Sequence, residues 1–355
     1  MLLLMADTTP KRTDVNALGE FGLIKHLTKD RPTRRDSTKK SIGDDAAVIQ
    51  YSGDIATVVT TDMLVEGIHF DLMYTPLKHL GYKAVVVNLS DVCAMNALPR
   101  QITVSMALSN RYSVEALEEL YEGIYKACEI YGVDLVGGDT TSSPRGLTLS
   151  VTALGEQRSD KIVYRSTAKP GDIVCVTGNL GAAYMGLQLL EREKQVYLSD
   201  KNMQPDFGGN DYLIERQLKP EARNDMIAQF AKADLVPTSM IDISDGLASE
   251  LFHICEASGV GAFLEESGIP IHQTTKLQAI DFKIGPITAA LSGGEDYELL
   301  FTVRPEDVDK VRYMHDIFIA GEITDASEGV MLHTKEGKRI PLVAQGWEHF
   351  EQPAG

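Results

Sequence analysis

The sequence predicts an α/β protein built as two domains with mixed sheets. Three observations carry that expectation. The chain has 355 residues, 43% hydrophobic and 24% charged, a globular composition with enough length for two cores. Short β-branched runs alternate with longer segments of helical pattern. A polar stretch with charges of both signs, Glu156–Arg165, interrupts that alternation near the middle. The expected division is 1–157 and 158–355.

Taken in order, Ala46–Ile49 and Ala56–Thr60 are apolar and β-branched, so they are expected strands. From Pro76 to about Ala97 the pattern is helical, and "YKAVVVNLSDVCAM" is apolar almost all round, which predicts a buried helix. Ile102–Leu108 alternates like a half-buried strand. Ser113 is the expected N-cap of a helix with Glu115 and Glu118 in its first turns, running to about Tyr131 and stopping at Gly132. Val133–Val136 reads as a short strand ending at "GGDTT", and Leu147–Leu154 as another. "KPGDIVCVTGNLG" gives a Pro-Gly turn, a strand and a glycine-rich turn into a helix over Ala182–Glu193. Gly178, Gly181 and Gly186 do not fit the dinucleotide fingerprint. Glu193–Asp211 reads as a loop, and "PEARNDMIAQFAKA" as helical after Pro220. "SMIDISDGLASELFHICEASG" reads as a strand, an acidic turn and a helix whose stripe is Leu247, Leu251, Ile254 and Cys255; "YELLFTV" is a late strand.

The bulk properties exclude several classes. A formal charge of −17 argues against nucleic-acid binding, which needs basic patches. No window approaches the roughly 18 apolar residues of a membrane span. The opening "MLLLM" is too short for a secretory signal and has no basic residue before it. Cys93, Cys128, Cys175 and Cys255 lie in apolar contexts without metal-ligand spacing, so reduced core thiols and a cytoplasmic location are expected.

Five acidic stretches stand out: "GDD" at Gly43–Asp45, "TTD" at Thr60–Asp62, "GGDT" at Gly137–Thr140, "IDISDG" at Ile241–Gly246 and "GGED" at Gly293–Asp296. Each alone is ordinary turn chemistry. Asp91 is not ordinary, because a carboxylate within an apolar helix is disfavoured unless paired or metal-bound. If the five converge at the strand ends of an α/β fold, their repulsion calls for hard cations. Mg²⁺ takes carboxylates, waters and substrate phosphates, and nearby glycines leave backbone N–H groups open to phosphate oxygens. The GxxxxGK[ST] loop and the protein-kinase motifs are absent. A non-catalytic Ca²⁺-binding protein is the competing reading, but no EF-hand spacing is present.

An ordered set of blocks runs through the chain: "GEFGLIKHL" (Gly19–Leu27), "IGDDAAV" (Ile42–Val48), "TTDMLVEGIHF" (Thr60–Phe70), "YKAVVVNLSDVCAMNALP" (Tyr82–Pro99), "LVGGDTT" (Leu135–Thr141), "RSTAKPGDIVCVTG" (Arg165–Gly178), "IDISDGL" (Ile241–Leu247) and "LSGGEDYELLFTV" (Leu291–Val303). The set resembles the thiamine-monophosphate kinase family, within the superfamily of aminoimidazole ribonucleotide synthetase and selenophosphate synthetase. The resemblance implies that superfamily's two-domain fold and a homodimer joined through the N-terminal sheet. It implies ATP-dependent phosphorylation of thiamine monophosphate with several Mg²⁺ ions, and no general base or covalent nucleophile. By motif, Asp45, Thr60, Thr61, Asp62, Asp91, Asp139, Asp242 and Asp245 correspond to metal ligands. Tyr121, Gly138, Asp139, Arg165 and Ser244 correspond to nucleotide contacts, and His69, Glu295 and Trp347 to substrate contacts. An aromatic ring suits a flat cationic thiamine ring. Met63 stands where the family more often has Thr, and 195–210 departs most from the pattern. The other superfamily members fit less well: no cysteine precedes Cys93, the chain ends "EQPAG" without a terminal cysteine, and aminoimidazole ribonucleotide synthetase lacks "VEGIHF" and "GGEDYE".

Overall fold

The β-branched runs assemble into two mixed sheets in the structure, a computed structural model that describes Thr13 and residues 15–343. The described chain falls into two compact units, one ending at Arg34 and one starting at Arg35. The first contains helix α1 (Gly19–Thr28). The second begins with strands β1 (Thr38–Lys40), β2 (Ala47–Ile49) and β3 (Ile55–Val65), then helix α2 (Leu77–Ala94). Strand β4 (Leu98–Leu108), helix α3 (Val114–Tyr131), β5 (Asp134–Ser142) and β6 (Leu147–Arg158) complete a six-stranded sheet of order β1-β2-β3-β6-β4-β5. Only the β4–β5 pair in it is parallel, which α3 makes possible as the crossover.

The rest of the unit continues with β7 (Ile173–Thr177), helices α4 (Ala182–Ser199), α5 (Asp211–Leu218) and α6 (Asn224–Lys232), and β8 (Ser239–Asp242). Helix α7 (Leu247–Ser258), β9 (Gly261–Glu265), α8 (Gln273–Asp281), α9 (Pro286–Ser292) and β10 (Leu299–Val303) follow. Helix α10 (Val308–Arg312) and strands β11 (Ile317–Thr324), β12 (Val330–His333) and β13 (Arg339–Pro341) end the described chain. The second sheet has the order β13-β12-β9-β11-β7-β10-β8.

Helix α2 is enclosed as its composition predicts. It packs on β3, β4 and β6 and also touches β8, α5 and α6 of the second sheet's layer. Leu80, Val85, Val86, Leu89 and Val92 are wholly buried in a core that continues to Met226, Phe230 and Phe301. The α3 boundaries match the expectation: Ser113 Oγ accepts from Ala116 N at 3.2 Å, and Gly132 closes the helix at φ +64°. The apolar stripe of α7 is buried, and all four cysteines are free thiols in buried positions.

Four expectations are corrected. "TTD" does not end a strand but lies inside β3, which pairs with β6 along its full length. "GGDTT" likewise lies inside β5, since the parallel ladder to β4 runs through to Ser142. Glycines suggest a break in sequence, but a continuous hydrogen-bonded neighbour overrides that preference. Helix α4 continues to Ser199, beyond Glu193, because Glu193 is buried and its carboxylate is held by Arg192 Nε and Asp206 N. In the opposite direction, the helix expected after Pro220 starts only at Asn224. Arg223, just before it, is anchored to Glu298 at 2.5 Å.

Helices α2 and α3 cross at two glycines. A Cβ on Gly81 would lie 2.0 Å from Leu120 O, and one on Gly123 1.9 Å from Lys78 O. Both obstacles are backbone, so only a shift of the helices relieves them. Gly123→Ala is therefore expected to lower unfolding free energy by about 1–3 kcal/mol, the cost of overpacking a close-packed contact. Urea denaturation of the two proteins measures it, and an unchanged midpoint would contradict the crossing.

Candidate active site

The polar groups of α2 define the site. Asp91 on α2, Asp45 in the β1–β2 loop and Asp242 at the end of β8 bring carboxylate oxygens within 4.8 Å of one another. Each carboxylate has one neutral or cationic donor. Thr60 Oγ1 donates to Asp91 at 2.7 Å, and Ser90 Oγ to Asp242 at 2.6 Å. Arg165 Nε donates to Asp45 Oδ2 at 3.0 Å, and its Nη2 donates to Oδ1. That is too little to neutralise three convergent negative charges, two of them buried. Burial, then the charge of Asp45, pushes the Asp242 carboxyl up to about 8. Burial, then Asp62, Asp242 and Asp45, raise Asp91 well above its ordinary value. Asp62 is raised by the protein around it and by Asp45, although the residue keeps an exposed side. Its backbone N–H donates to Asn88 Oδ1 at 2.9 Å, tying β3 to α2. An all-oxygen donor set with excess negative charge fits a hard divalent cation such as Mg²⁺ and not the N/S-preferring Zn²⁺.

Not every sequence-derived ligand joins this group. Thr61 points to the opposite face of β3, where its hydroxyl donates to Val151 O at 3.0 Å, so only its backbone could serve the cluster side. Asp139 is exposed, and its Oδ1 accepts from Thr140 N at 2.9 Å. It lies with Tyr121 and Gly138 along an open cleft of about 430 Å³ against β4 and β5. Gly138 is needed there, because a Cβ would stand 1.8 Å from Val104 O.

The turn after β8 is tied down from behind. Glu250 Oε1 accepts from Asp245 N at 2.8 Å and Ser244 N at 3.2 Å. Asp245 itself is half-buried and is not one of the convergent three. Glu295 N donates to Ser244 O at 2.7 Å, which docks the "GGED" loop on this turn. Glu295 (φ +66°) and Tyr297 (φ +53°) both adopt the left-handed backbone that non-glycine residues rarely take, a mark of functional loops. Asp296 does not face the cluster. It caps α4, accepting from Gly181 N at 2.6 Å and Ala183 N at 3.3 Å, and so fills the place a phosphate would take at that glycine turn. His69 is half-buried, with Nδ1 accepting from Val65 N at 3.0 Å. Trp347 lies outside the described residues.

Ser90, Asn88, Glu250 and Lys83 escaped the sequence reading. For those on α2 the signal was available: a polar residue in a helix apolar all round, the same signal that singled out Asp91.

Two interlocking α/β layers with a carboxylate cluster between them define a class of two-domain proteins of known architecture. Residues 43–157 match the AIR synthase related protein N-terminal domain, and 169–333 the corresponding C-terminal domain. The thiamine-monophosphate kinase of Bacillus subtilis (strain 168) is 34% identical over 342 residues, 94% of this chain and 100% of that protein. That of Escherichia coli (strain K12) is 36% identical over 347 residues, 95% and 100% respectively. A solved structure described as AaThiL complexed with AMPPCP and TMP aligns with a TM-score of 0.82 at 33% identity, over 96% of this chain and 100% of that one. The chain belongs to the thiamine-monophosphate kinase family and is an enzyme, a kinase.

The cluster makes a pH prediction for the cation-free protein. Asp242 has a folded-state value of about 8 against an ordinary 3.8, so between these limits the folded state holds a proton that the unfolded state has released. Stability contributed by this group is present below pH 3.8 and is lost as pH rises toward about 8. In chelator, wild-type protein is expected to lose more stability between pH 5 and pH 8 than Asp242→Asn. Thermal melts across that range measure the difference, and parallel curves would refute it.

Proposed function

We propose that this chain transfers the γ-phosphoryl group of ATP to thiamine monophosphate, giving thiamine diphosphate, by direct in-line displacement. The observation that carries the reading is the convergence of the Asp45, Asp91 and Asp242 carboxylates within 4.8 Å of one another. Asp62 and Asp245, with the oxygens of Thr60 and Thr61, would complete the ligand set for several Mg²⁺ ions. Bound Mg²⁺ supplies charge neutralisation on the phosphates. Asp139 joins Tyr121 and Gly138 at the nucleotide cleft, and Arg165 and Ser244 face the phosphates. His69, Glu295 and Trp347 receive the acceptor.

The chain's own residues have a limited task. The nucleophile is a phosphate oxygen, already anionic at neutral pH, so no side chain must remove a proton. That oxygen forms the new bond to the γ-phosphorus as the bond to the ADP oxygen breaks. The obstacle is repulsion between two anionic groups, and Arg165 adds a fixed positive charge against it. Residues 1–157 would supply Mg-ATP binding and the homodimer contact, and 158–355 would complete the site, working in the cytoplasm. AMPPCP and TMP in a 33%-identical structure support the substrate pair.

Asp91→Ala and Asp62→Ala are each expected to lower kcat by at least about a hundredfold, since charge stabilisation of the transferring group carries the rate. Near-wild-type turnover of either variant, followed as thiamine diphosphate formed, would refute the assignment. With ATP chiral at the γ-phosphorus, inversion is expected. Retention would mean a phospho-enzyme, with an aspartate such as Asp242 as nucleophile.

A further inference from the structure

Lys83 sits in the middle of α2 and is 4% exposed. A buried ammonium is costly unless it is fully partnered. Its Nζ lies 2.8 Å from Glu295 Oε1 and donates to Gln217 O at 3.0 Å. Gln217, on α5 and equally buried, donates from Nε2 to the other oxygen, Glu295 Oε2, at 2.5 Å. Its own Oε1 is enclosed and finds no partner among the described residues. An idle buried acceptor has a cost, so this amide is retained for its nitrogen. The Glu295 backbone is held in a rarely used conformation and hydrogen-bonded to Ser244 O at 2.7 Å. Four constraints from three separate elements thus fix one carboxylate, whose side chain stays 28% exposed. Each of its oxygens has a second lone pair for a ligand.

The placement along the helix gives the arrangement a purpose. Lys83 and Asp91 lie two turns apart on one face of α2, so the Glu295 end and the metal-cluster end are separated by roughly 12 Å along the axis. A rigid, enclosed helix sets that spacing.

We propose that Lys83 and Gln217 are positioning residues for the acceptor. They hold the Glu295 carboxylate aimed, so that it receives an N–H-bearing heterocycle at the end of the acceptor remote from its phosphate. This rests on the function proposed above, with thiamine monophosphate as the acceptor.

Steady-state kinetics of Lys83→Met, Gln217→Leu, Glu295→Gln and the Lys83→Met/Glu295→Gln double variant test it, with melting temperatures confirming folding. Acceptor KM is expected to rise about tenfold or more in each single variant, with ATP KM and kcat within about threefold of wild type. The double variant should be no more than about threefold worse than Glu295→Gln, because the residues act as one unit. If Lys83→Met does not fold, the Gln217→Leu and Glu295→Gln pair decides alone. Unchanged acceptor KM, or ATP KM rising in step with it, overturns the inference. Wild-type protein that forms no thiamine diphosphate overturns the proposed function and this inference with it; wild-type turnover with variants unaffected overturns this inference alone.

Discussion

Enclosure of helix α2 is the constraint on which the rest depends. From Tyr82 to Ala94 this helix has sheet on one side and a second layer on the other, which leaves its polar side chains little access to water. Every such group must find its partner in a neighbouring element. Asn88 takes the backbone N–H of Asp62 on β3, Ser90 takes Asp242 on β8, Asp91 takes Thr60 on β3, and Lys83 takes Glu295 and Gln217. These contacts bring the two sheets into register around the helix. The same contacts form the site, so assembling the core and assembling the chemistry are one event.

The electrostatics follow from that enclosure. Carboxylates brought together in a low-dielectric space raise one another's proton affinity. The chain offsets the repulsion only in part, through two hydroxyl donors and the Arg165–Asp45 pair. What remains is a preorganised demand for positive charge, which fits the proposed binding of cations with phosphate groups. The Glu295 end is balanced differently, with the Lys83 ammonium against a single carboxylate. One helix therefore carries a charge-hungry end and a charge-matched end.

Two of the non-glycine residues with left-handed backbone lie in the loop that docks on the turn after β8. Glu295 and Tyr297 occupy the left-handed region inside a loop whose glycines pack without room for a Cβ; one on Gly294 would stand 2.4 Å from Ser244 O. Such a loop holds its shape only because its neighbours over-determine it. Asp296 contributes by capping α4, and Glu298 by binding both Arg216 at 2.9 Å and Arg223 at 2.5 Å. Residues adjacent in "GGEDYE" thus do unlike work, Glu295 keeping an exposed side while its neighbours brace the scaffold.

The sequence by itself determined the α/β class, the buried character of α2, the caps of α3, the apolar stripe of α7 and the acidic residues worth attention. These are local properties: periodicity, cap chemistry and the anomaly of a charge among apolar neighbours are all written in adjacent positions. It could not tell that "TTD" and "GGDTT" lie inside strands, because the hydrogen-bonding neighbour that extends β3 and β5 is remote in the chain. Nor could it sort the acidic residues by role. Asp242 and Asp296 look alike as aspartates beside glycine-rich turns, yet one converges with Asp45 and Asp91 while the other caps a helix. Which carboxylate meets a cation and which meets a backbone N–H depends on what lies opposite. Only the tertiary structure decides that, since those partners come from elements 30 to 150 positions away along the chain, as Thr60–Asp91 and Ser90–Asp242 do.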